Sequence, residues 1–471
     1  MNLKELIEMS KGQLIGNVDT NIEIKNFNID SRVIADNNVF VPLKGEKTDG
    51  HNYIMSAFEN GTIGSFSSQD IEVPEGKFII KVEDVLLALQ ETARNLRKKY
   101  SNVPIVALTG SVGKTTTKDM IYAVLSKKFK TLKTQGNYNN GIGLPLTLLS
   151  YKDEEIMVLE MGMNSFGEIS LLSEIARPDT ALILNVGKSH IGNLGSRENI
   201  LKAKMEIIDG MDSNKKLAIN IDNDMLSTVK NIPQEIVTFG YEENADYFAY
   251  DIKVNDFDTE FSIKEKDKEY RVKFNLSGKE FVYNALAAWT IGALYEVTPE
   301  DRCEALLNCE YTKMRMNIKN VNGYTIINDC YNASAESMNV ALDTLAKYEN
   351  RKVAILGDIL ELGDYTKSVH EEVGKKVAES KVDLLILAGE NIQYIKDGAL
   401  KNGMKEAQIF VYKNANEICQ IINEKIEARR YGFSKGFTCY DVWKRCGDYR
   451  KIIFCRQTFE NKCVEFLCMK F

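Results

Sequence analysis

From about residue 101 to residue 311 the chain alternates short apolar runs with longer segments in which apolar residues return every three or four positions. The runs at 105–108, 156–159, 180–185 and 216–221 are too short for buried helices and read as strands. Apolar on both faces, they predict a mostly parallel sheet with helices on either side. Residues 245–275 alternate apolar and charged positions instead, which predicts antiparallel strands appended to that sheet. The stretch 284–294 is apolar all round and predicts a buried helix. The same rhythm resumes at 312, with strands expected at 324–327, 353–356, 384–387 and 409–412 and a last helix at 416–428. Residues 1–100 mix shorter elements: a strand at 40–43, a helix at 51–60 closed by Gly61, and a helix at 83–100 running into a Ser101-Asn-Val-Pro104 linker. The expectation is an α/β protein of three domains, 1–100, 101–311 and 312–428, followed by a tail, 429–471.

Composition narrows the function. The 471 residues carry a net charge of -7, with no basic stripe before the last forty, so nucleic acid is not an expected partner. Met1-Asn-Leu-Lys-Glu5 opens no apolar signal segment, and no run is long enough to span a bilayer. A soluble, cytoplasmic monomer is expected. The nine cysteines include no Cys-x-x-Cys pair, which supports neither a zinc site nor a redox motif.

The densest chemistry lies in Thr109-Gly-Ser-Val-Gly-Lys-Thr-Thr116, between a predicted strand and a predicted helix. Glycines let a backbone curl so that its N–H groups face an anion, and a helix N-terminus adds partial positive charge. In such a phosphate loop Lys114 reaches the β/γ-phosphates and the Thr115 hydroxyl holds Mg²⁺. Leu108 stands where the common eight-residue loop has its first glycine, so this is a shorter form. Glu160 closes an apolar strand and is a candidate Mg²⁺ ligand, or else a capping acid. The Gly- and Asn-rich loop 134–146 is either a ligand loop or ordinary turn chemistry. His190, one of three histidines, lies just beyond a strand, where open α/β sheets bind ligands. Lys204 alone reads as part of a solvated helix face.

Together these residues resemble the Mur ligases. The resemblance spans about 30–428 and rests on Asp30-Ser-Arg32, Phe40-Val-Pro-Leu-Lys-Gly45 with Asp49-Gly-His51, the phosphate loop, Gly136-Asn-Tyr-Asn-Asn-Gly-Ile-Gly-Leu-Pro145 and Glu160-Met-Gly-Met-Asn164. It continues through Asn185 with His190, Ala203-Lys-Met-Glu-Ile207, Tyr283-Asn-Ala-Leu-Ala-Ala288, Arg315-Met-Asn317, Asn328-Asp-Cys-Tyr-Asn-Ala333 and Leu356-Gly-Asp-Ile-Leu-Glu-Leu-Gly363. The resemblance implies a small α/β N-terminal domain, a central phosphate-loop ATPase domain with a parallel sheet, and a Rossmann-like C-terminal domain. It implies ATP-dependent joining of D-alanyl-D-alanine to UDP-N-acetylmuramoyl-tripeptide. Another Mur-type or folylpolyglutamate-type ligase with a different amino substrate is the alternative, and the first-domain motifs argue against the folate class.

Residue roles follow from the resemblance. Ser31, Arg32, Asp49, His51, Asn137, Asn139 and Asn140 would bind the UDP-sugar peptide. Thr109, Gly110, Ser111, Val112, Gly113, Lys114, Thr115 and Thr116 would hold the ATP phosphates. Asn284, Arg315, Asp329, Tyr331 and Asn332 would contact the rest of the nucleotide. Thr115, Glu160, His190 and Lys204 would surround two Mg²⁺ ions, Lys204 as a CO₂-derived carbamate, and Lys114, His190 and Lys204 would be catalytic. A carbamate attracts Mg²⁺ where an ammonium repels it. A hinge is expected near 309–313.

Three departures stand out. Glu280-Phe281 replaces the family's frequent His-Asn, and Ala333-Ser-Ala335 replaces Ala-Asn-Pro. After Ala428 nothing matches: residues 429–471 hold ten Lys/Arg against four Asp/Glu and five of the nine cysteines. The break suggests a frameshift, since permitted codons for residues 431–450, read one nucleotide later, spell the strand and Lys-Gly-Ser-Arg loop that family members carry there. An intact single frame whose codons cannot spell that loop would end that idea on resequencing. As written, the tail is expected to leave the third sheet without its last strand.

Overall fold

The computed structural model describes residues 1–414 except 34–36, 46–47, 256, 313–316, 322–323 and 330–332, together with 417–418 and 451–456. Three sheets follow one another along the chain. The first contains β1 (Gln13–Ile15), β2 (Asn26–Asn28), β3 (Asn38–Phe40), β4 (Gly64–Ser67) and β5 (Phe78–Lys81), ordered β1-β5-β4-β3-β2. Its pairs are parallel except β1 with β5. The strand expected at 40–43 lies earlier and ends at Phe40, ahead of Pro42, which has no N–H to give a ladder. The expected helix at 51–60 is a 3₁₀ turn, Gly50–Tyr53, running into helix Ile54–Glu59.

The central sheet comprises β6 (Ile105–Thr109), β7 (Thr131–Lys133), β8 (Ile156–Glu160), β9 (Thr180–Ile183), β10 (Lys216–Asn220), β11 (Glu235–Gly240), β12 (Tyr247–Val254), β13 (Thr259–Glu265) and β14 (Lys268–Phe274). Their order is β14-β13-β12-β11-β10-β9-β6-β8-β7. From β7 to β12 all pairs are parallel, and β12, β13 and β14 form the antiparallel extension expected from the charge alternation. Helix Glu280–Leu294, with Trp289 fully buried, packs on helix Lys114–Leu125.

The third sheet holds β15 (Asn317–Val321), β16 (Tyr324–Asn328), β17 (Arg351–Gly357), β18 (Leu384–Ala388), β19 (Ile409–Tyr412) and β20 (Lys451–Arg456), ordered β15-β16-β20-β17-β18-β19. Here the sequence expectation is corrected. The sheet does not lack a strand between β16 and β17, because β20, from the tail, pairs parallel with both. Its Ile-Ile-Phe-Cys run has the β-branched and aromatic composition of a strand. The helix expected at 416–428 lies outside the described residues apart from 417–418. Among the described residues no helix is long and apolar enough to cross a membrane.

Candidate active site

The carboxyl ends of β6, β8, β9 and β10 converge, and the chemistry sits there. Buried β6 delivers the loop 109–113 into helix Lys114–Leu125. Gly113 has φ +84, and a Cβ on it would come within 2.7 Å of Leu184 and 2.9 Å of Asn284 Oδ1, so only glycine lets the turn close. Asn185, just past β9, staples the loop: its Oδ1 accepts from the Ser111 and Val112 N–H groups at 2.9 and 3.0 Å, and its Nδ2 donates to the Val112 carbonyl at 3.0 Å. The Ser111 hydroxyl accepts from the Gly187 N–H at 2.8 Å. Lys114 Nζ folds back onto the Gly110 carbonyl at 2.7 Å. Thr109, Thr115 and Thr116 are buried.

Glu160, 2 % exposed at the end of β8, accepts from Asn139 Nδ2 at 2.9 Å through Oε1. Its Oε2 is buried with no hydrogen-bond partner among the described residues, and the Lys118 ammonium is 3.9 Å away. An orphaned carboxylate oxygen beside a phosphate loop fits a divalent cation, for which protein and phosphates share the coordination. No cluster of three or more His, Cys, Asp or Glu that could hold a metal occurs among the described residues.

Lys204 overturns its bland reading. It is 2 % exposed on helix Arg197–Met205, and burial, reinforced by Lys114, pushes its ammonium well below the usual lysine range. Glu336 opposes that shift. A buried amine displaced toward its neutral form is nucleophilic, as addition to CO₂ requires. His190 has a left-handed backbone, φ +65, and its Nδ1 lies 2.6 Å from Glu361 of the C-terminal domain. Burial lowers its pKa and the Glu361 carboxylate opposes this.

Two cavities flank the loop. The larger, about 470 Å³, is lined by Val112, Asn185, Asp222, Asn284 and Asp329, and by the departures Glu280 and Phe281. The smaller, about 290 Å³, has Lys114 and His190 on one side and residues 333–337 and 359–362 on the other. Glu336 borders both and accepts from the Lys188 N–H. Where Ala-Asn-Pro is replaced, Ser334 and Ser337 form a capping box at the start of helix Ala335–Ala346.

Of the residues expected to bind the UDP-sugar peptide, Asn139 reaches this site through Glu160, whereas Ser31, Arg32, Asp49 and His51 line neither cavity. Arg32 forks onto Asp30 at 2.9 and 2.7 Å, and the Ser31 carbonyl accepts from Asn60. His51 is buried as a clasp, Nδ1 2.7 Å from Asp49 and Nε2 accepting from the Ser68 N–H at 3.1 Å. Both ring nitrogens are thus engaged within the domain. Asn137 accepts from the Asn139 N–H at 2.7 Å, and Asn140 receives the Ile142 and Gly143 N–H groups as helix Gly143–Leu149 begins. Arg315, Tyr331 and Asn332 lie outside the described residues. Sequence reasoning missed Glu336, and quoted Glu361 within a motif without giving it a role.

Comparison with known proteins bears on this arrangement. The Mur ligase middle domain matches residues 108–292, and the Mur ligase, glutamate ligase domain matches residues 314–431. This chain belongs to the Mur ligase family. It is 38 % identical over 427 residues, 90 % of this chain and 92 % of the relative, to the UDP-N-acetylmuramoyl-tripeptide--D-alanyl-D-alanine ligase of Bacillus subtilis. To the enzyme of the same name from Escherichia coli it is 31 % identical, over 83 % of this chain and 86 % of that one. A MurF crystal structure from Acinetobacter baumannii superposes with a TM-score of 0.84 at 27 % identity, covering 100 % of this chain and 98 % of that one. The MurF ligase of Thermotoga maritima in complex with ADP gives 0.77 at 27 % identity, over 95 % of this chain and 97 % of that one. The three-domain α/β architecture is shared with these Mur ligases.

Proposed function

We propose that this chain is the ATP-dependent ligase that joins D-alanyl-D-alanine to UDP-N-acetylmuramoyl-tripeptide, a step of peptidoglycan precursor synthesis. The observation that carries the reading is Lys114 and its loop facing C-terminal-domain residues across one cavity, in a chain matched over nine-tenths of its length by a ligase of that name. A carboxylate is a poor acyl donor because its leaving group is oxide. Transfer of the ATP γ-phosphoryl group to the tripeptide's carboxylate oxygen releases ADP and gives an acyl phosphate. The dipeptide amine then attacks the acyl carbon, phosphate leaves with that oxygen, and the ammonium proton is lost.

In this reading the loop 109–116 and Lys114 hold and orient the phosphates, and Asn284 and Asp329 line the nucleotide cavity. Arg315, Tyr331 and Asn332 are assigned to the nucleotide by resemblance alone. Thr115, Glu160, His190 and a carbamate on Lys204 would hold two Mg²⁺ ions, which when bound neutralise phosphate charge. A ¹³C-bicarbonate NMR experiment tests the carbamate: a carbamate carbonyl signal is expected that Lys204→Ala abolishes, and an unchanged spectrum would remove it. Ser31, Arg32, Asp49, His51, Asn137, Asn139 and Asn140 belong to the UDP-sugar-peptide side, His51 by shaping it. Closure of the C-terminal domain shields the acyl phosphate from water.

The compositional break after Ala428 favours a second reading, an inactive nucleotide-binding copy with a frameshifted tail. One assay separates the two: phosphate release from Mg·ATP with UDP-N-acetylmuramoyl-tripeptide, with and without the dipeptide. The ligase reading expects dipeptide-dependent release. The inactive copy gives none.

A further inference from the structure

The smaller cavity has two unlike walls. One carries Lys114 and Lys188, cations that attract phosphate, with His190 beside them. The other is the loop after β17, Ile359-Leu-Glu-Leu362, one anion among three apolar residues. Leu360 is 65 % exposed, although Ile359 and Leu362 on either side are buried. The Glu361 side chain is 47 % exposed while its Oε2 meets His190 at 2.6 Å. The other carboxylate of this cavity, Glu336, spends Oε1 on the Lys188 N–H and keeps Oε2 buried. Glu361 is therefore the accessible anion facing Lys114's side of the cavity.

The loop is held in a costly shape. Glu361 has φ +62 and its partner His190 φ +65, both left-handed and neither glycine. Such backbones persist only where surroundings enforce them, and they cluster at functional sites. Enforcement is visible on both sides. The Glu361 carbonyl accepts from the Gly192 N–H at 3.2 Å, and a Cβ on Gly192 would come within 2.6 Å of that oxygen. From behind, the buried His370 accepts the Ile359 N–H at 3.1 Å through Nε2.

We propose that Glu361 and Leu360 form the seat of the amino substrate, Glu361 binding its ammonium group and Leu360 covering its apolar side chain, so that the nitrogen is positioned against the acyl carbon held from Lys114's side. The wall matches a small peptide with a free amine and methyl side chains, and offers no cation of its own for an acidic side chain. The proposal rests on the ligase reading above and deepens it.

The test is steady-state kinetics with D-alanyl-D-alanine and ATP varied separately, with equilibrium binding of the dipeptide to enzyme loaded with a non-hydrolysable ATP analogue and UDP-N-acetylmuramoyl-tripeptide. Glu361→Gln keeps the shape and an acceptor for His190 but removes the charge. It is expected to raise KM and Kd for the dipeptide about tenfold and move KM for ATP less than about twofold. An analogue with hydroxyl in place of the amine should bind wild type and variant equally. Leu360→Asn, at an exposed position where folding is insensitive, should raise the dipeptide KM about threefold. Unchanged dipeptide constants in both variants, or an equal rise in KM for ATP, would overturn the proposal, the latter marking Glu361 as a closure contact only. Wild type that neither turns over nor binds the dipeptide would overturn the ligase reading, and this proposal with it.

Discussion

The central domain meets its two neighbours in opposite ways. Toward the N-terminal domain the junction is dry. Arg97, near the end of helix Val85–Lys99, has its side chain 4 % exposed and donates to the Tyr100, Val103, Ala176 and Arg177 carbonyls and to Asp179. Asp179 also accepts from the first residue of β6, Ile105, and from Lys215. Toward the C-terminal domain several contacts are exposed. Lys188 pairs with Glu372 at 3.0 Å, both well exposed, His190 meets Glu361, and the Tyr365 hydroxyl donates to the Gly195 carbonyl at 3.2 Å. Asp119, buried on the phosphate-loop helix, accepts from the Thr312 N–H and hydroxyl at 2.9 and 2.7 Å where a hinge is expected, and Glu336 accepts from the Lys188 N–H. We expect the more exposed junction to be the one that opens and closes, as a reaction that must admit ATP and then exclude water requires.

The largest effect should come from breaking the dry junction. Arg97→Met strands the partly buried Asp179 and several carbonyls, and should cost about 3–5 kcal/mol, read as a lowered first transition in thermal unfolding. Loss below about 1 kcal/mol would show that this junction is as loose as the other. A subtler test sits behind the loop after β17. Burial holds the His370 pKa below the ordinary histidine value, the nearby Asp358 opposing. The unfolded chain then takes up the proton first, so stability falls as pH drops below about 6.5 and is unaffected above it. His370→Gln should flatten that acid-side loss in melting curves taken across this range, and an unflattened curve would assign it elsewhere. The smallest effect belongs to Lys188→Ala. An exposed pair contributes about 0–1 kcal/mol, so melting should hardly change, while activity should become less sensitive to added salt than in wild type.

Much of the fixed half of this picture was legible in the sequence. Strand-turn-helix spacing located the phosphate loop, and the apolar run ending in Glu160 put a carboxylate beside it, because both are local patterns. The alternation of 245–275 foretold the antiparallel extension for the same reason. What escaped depends on distant apposition. His190 and Glu361 are 171 residues apart, and no periodicity announces that they meet. His51 is expected from the resemblance on the UDP-sugar-peptide side, and its burial between Asp49 and Ser68 is visible only once β4 is in place. Lys204 has the local pattern of a solvated lysine, and its burial shows only in the folded structure. The tail's strand was missed because compositional strangeness outweighed the short Ile-Ile-Phe-Cys run of strand-forming residues.

The central claim is that the two faces of the smaller cavity work as one ligase site, and phosphate release by this chain tests it most directly. With Mg·ATP and UDP-N-acetylmuramoyl-tripeptide present, release should be slow alone and rise severalfold on adding D-alanyl-D-alanine, with one new amide bond per phosphate. Release that ignores the dipeptide, or none under either condition, would contradict the account.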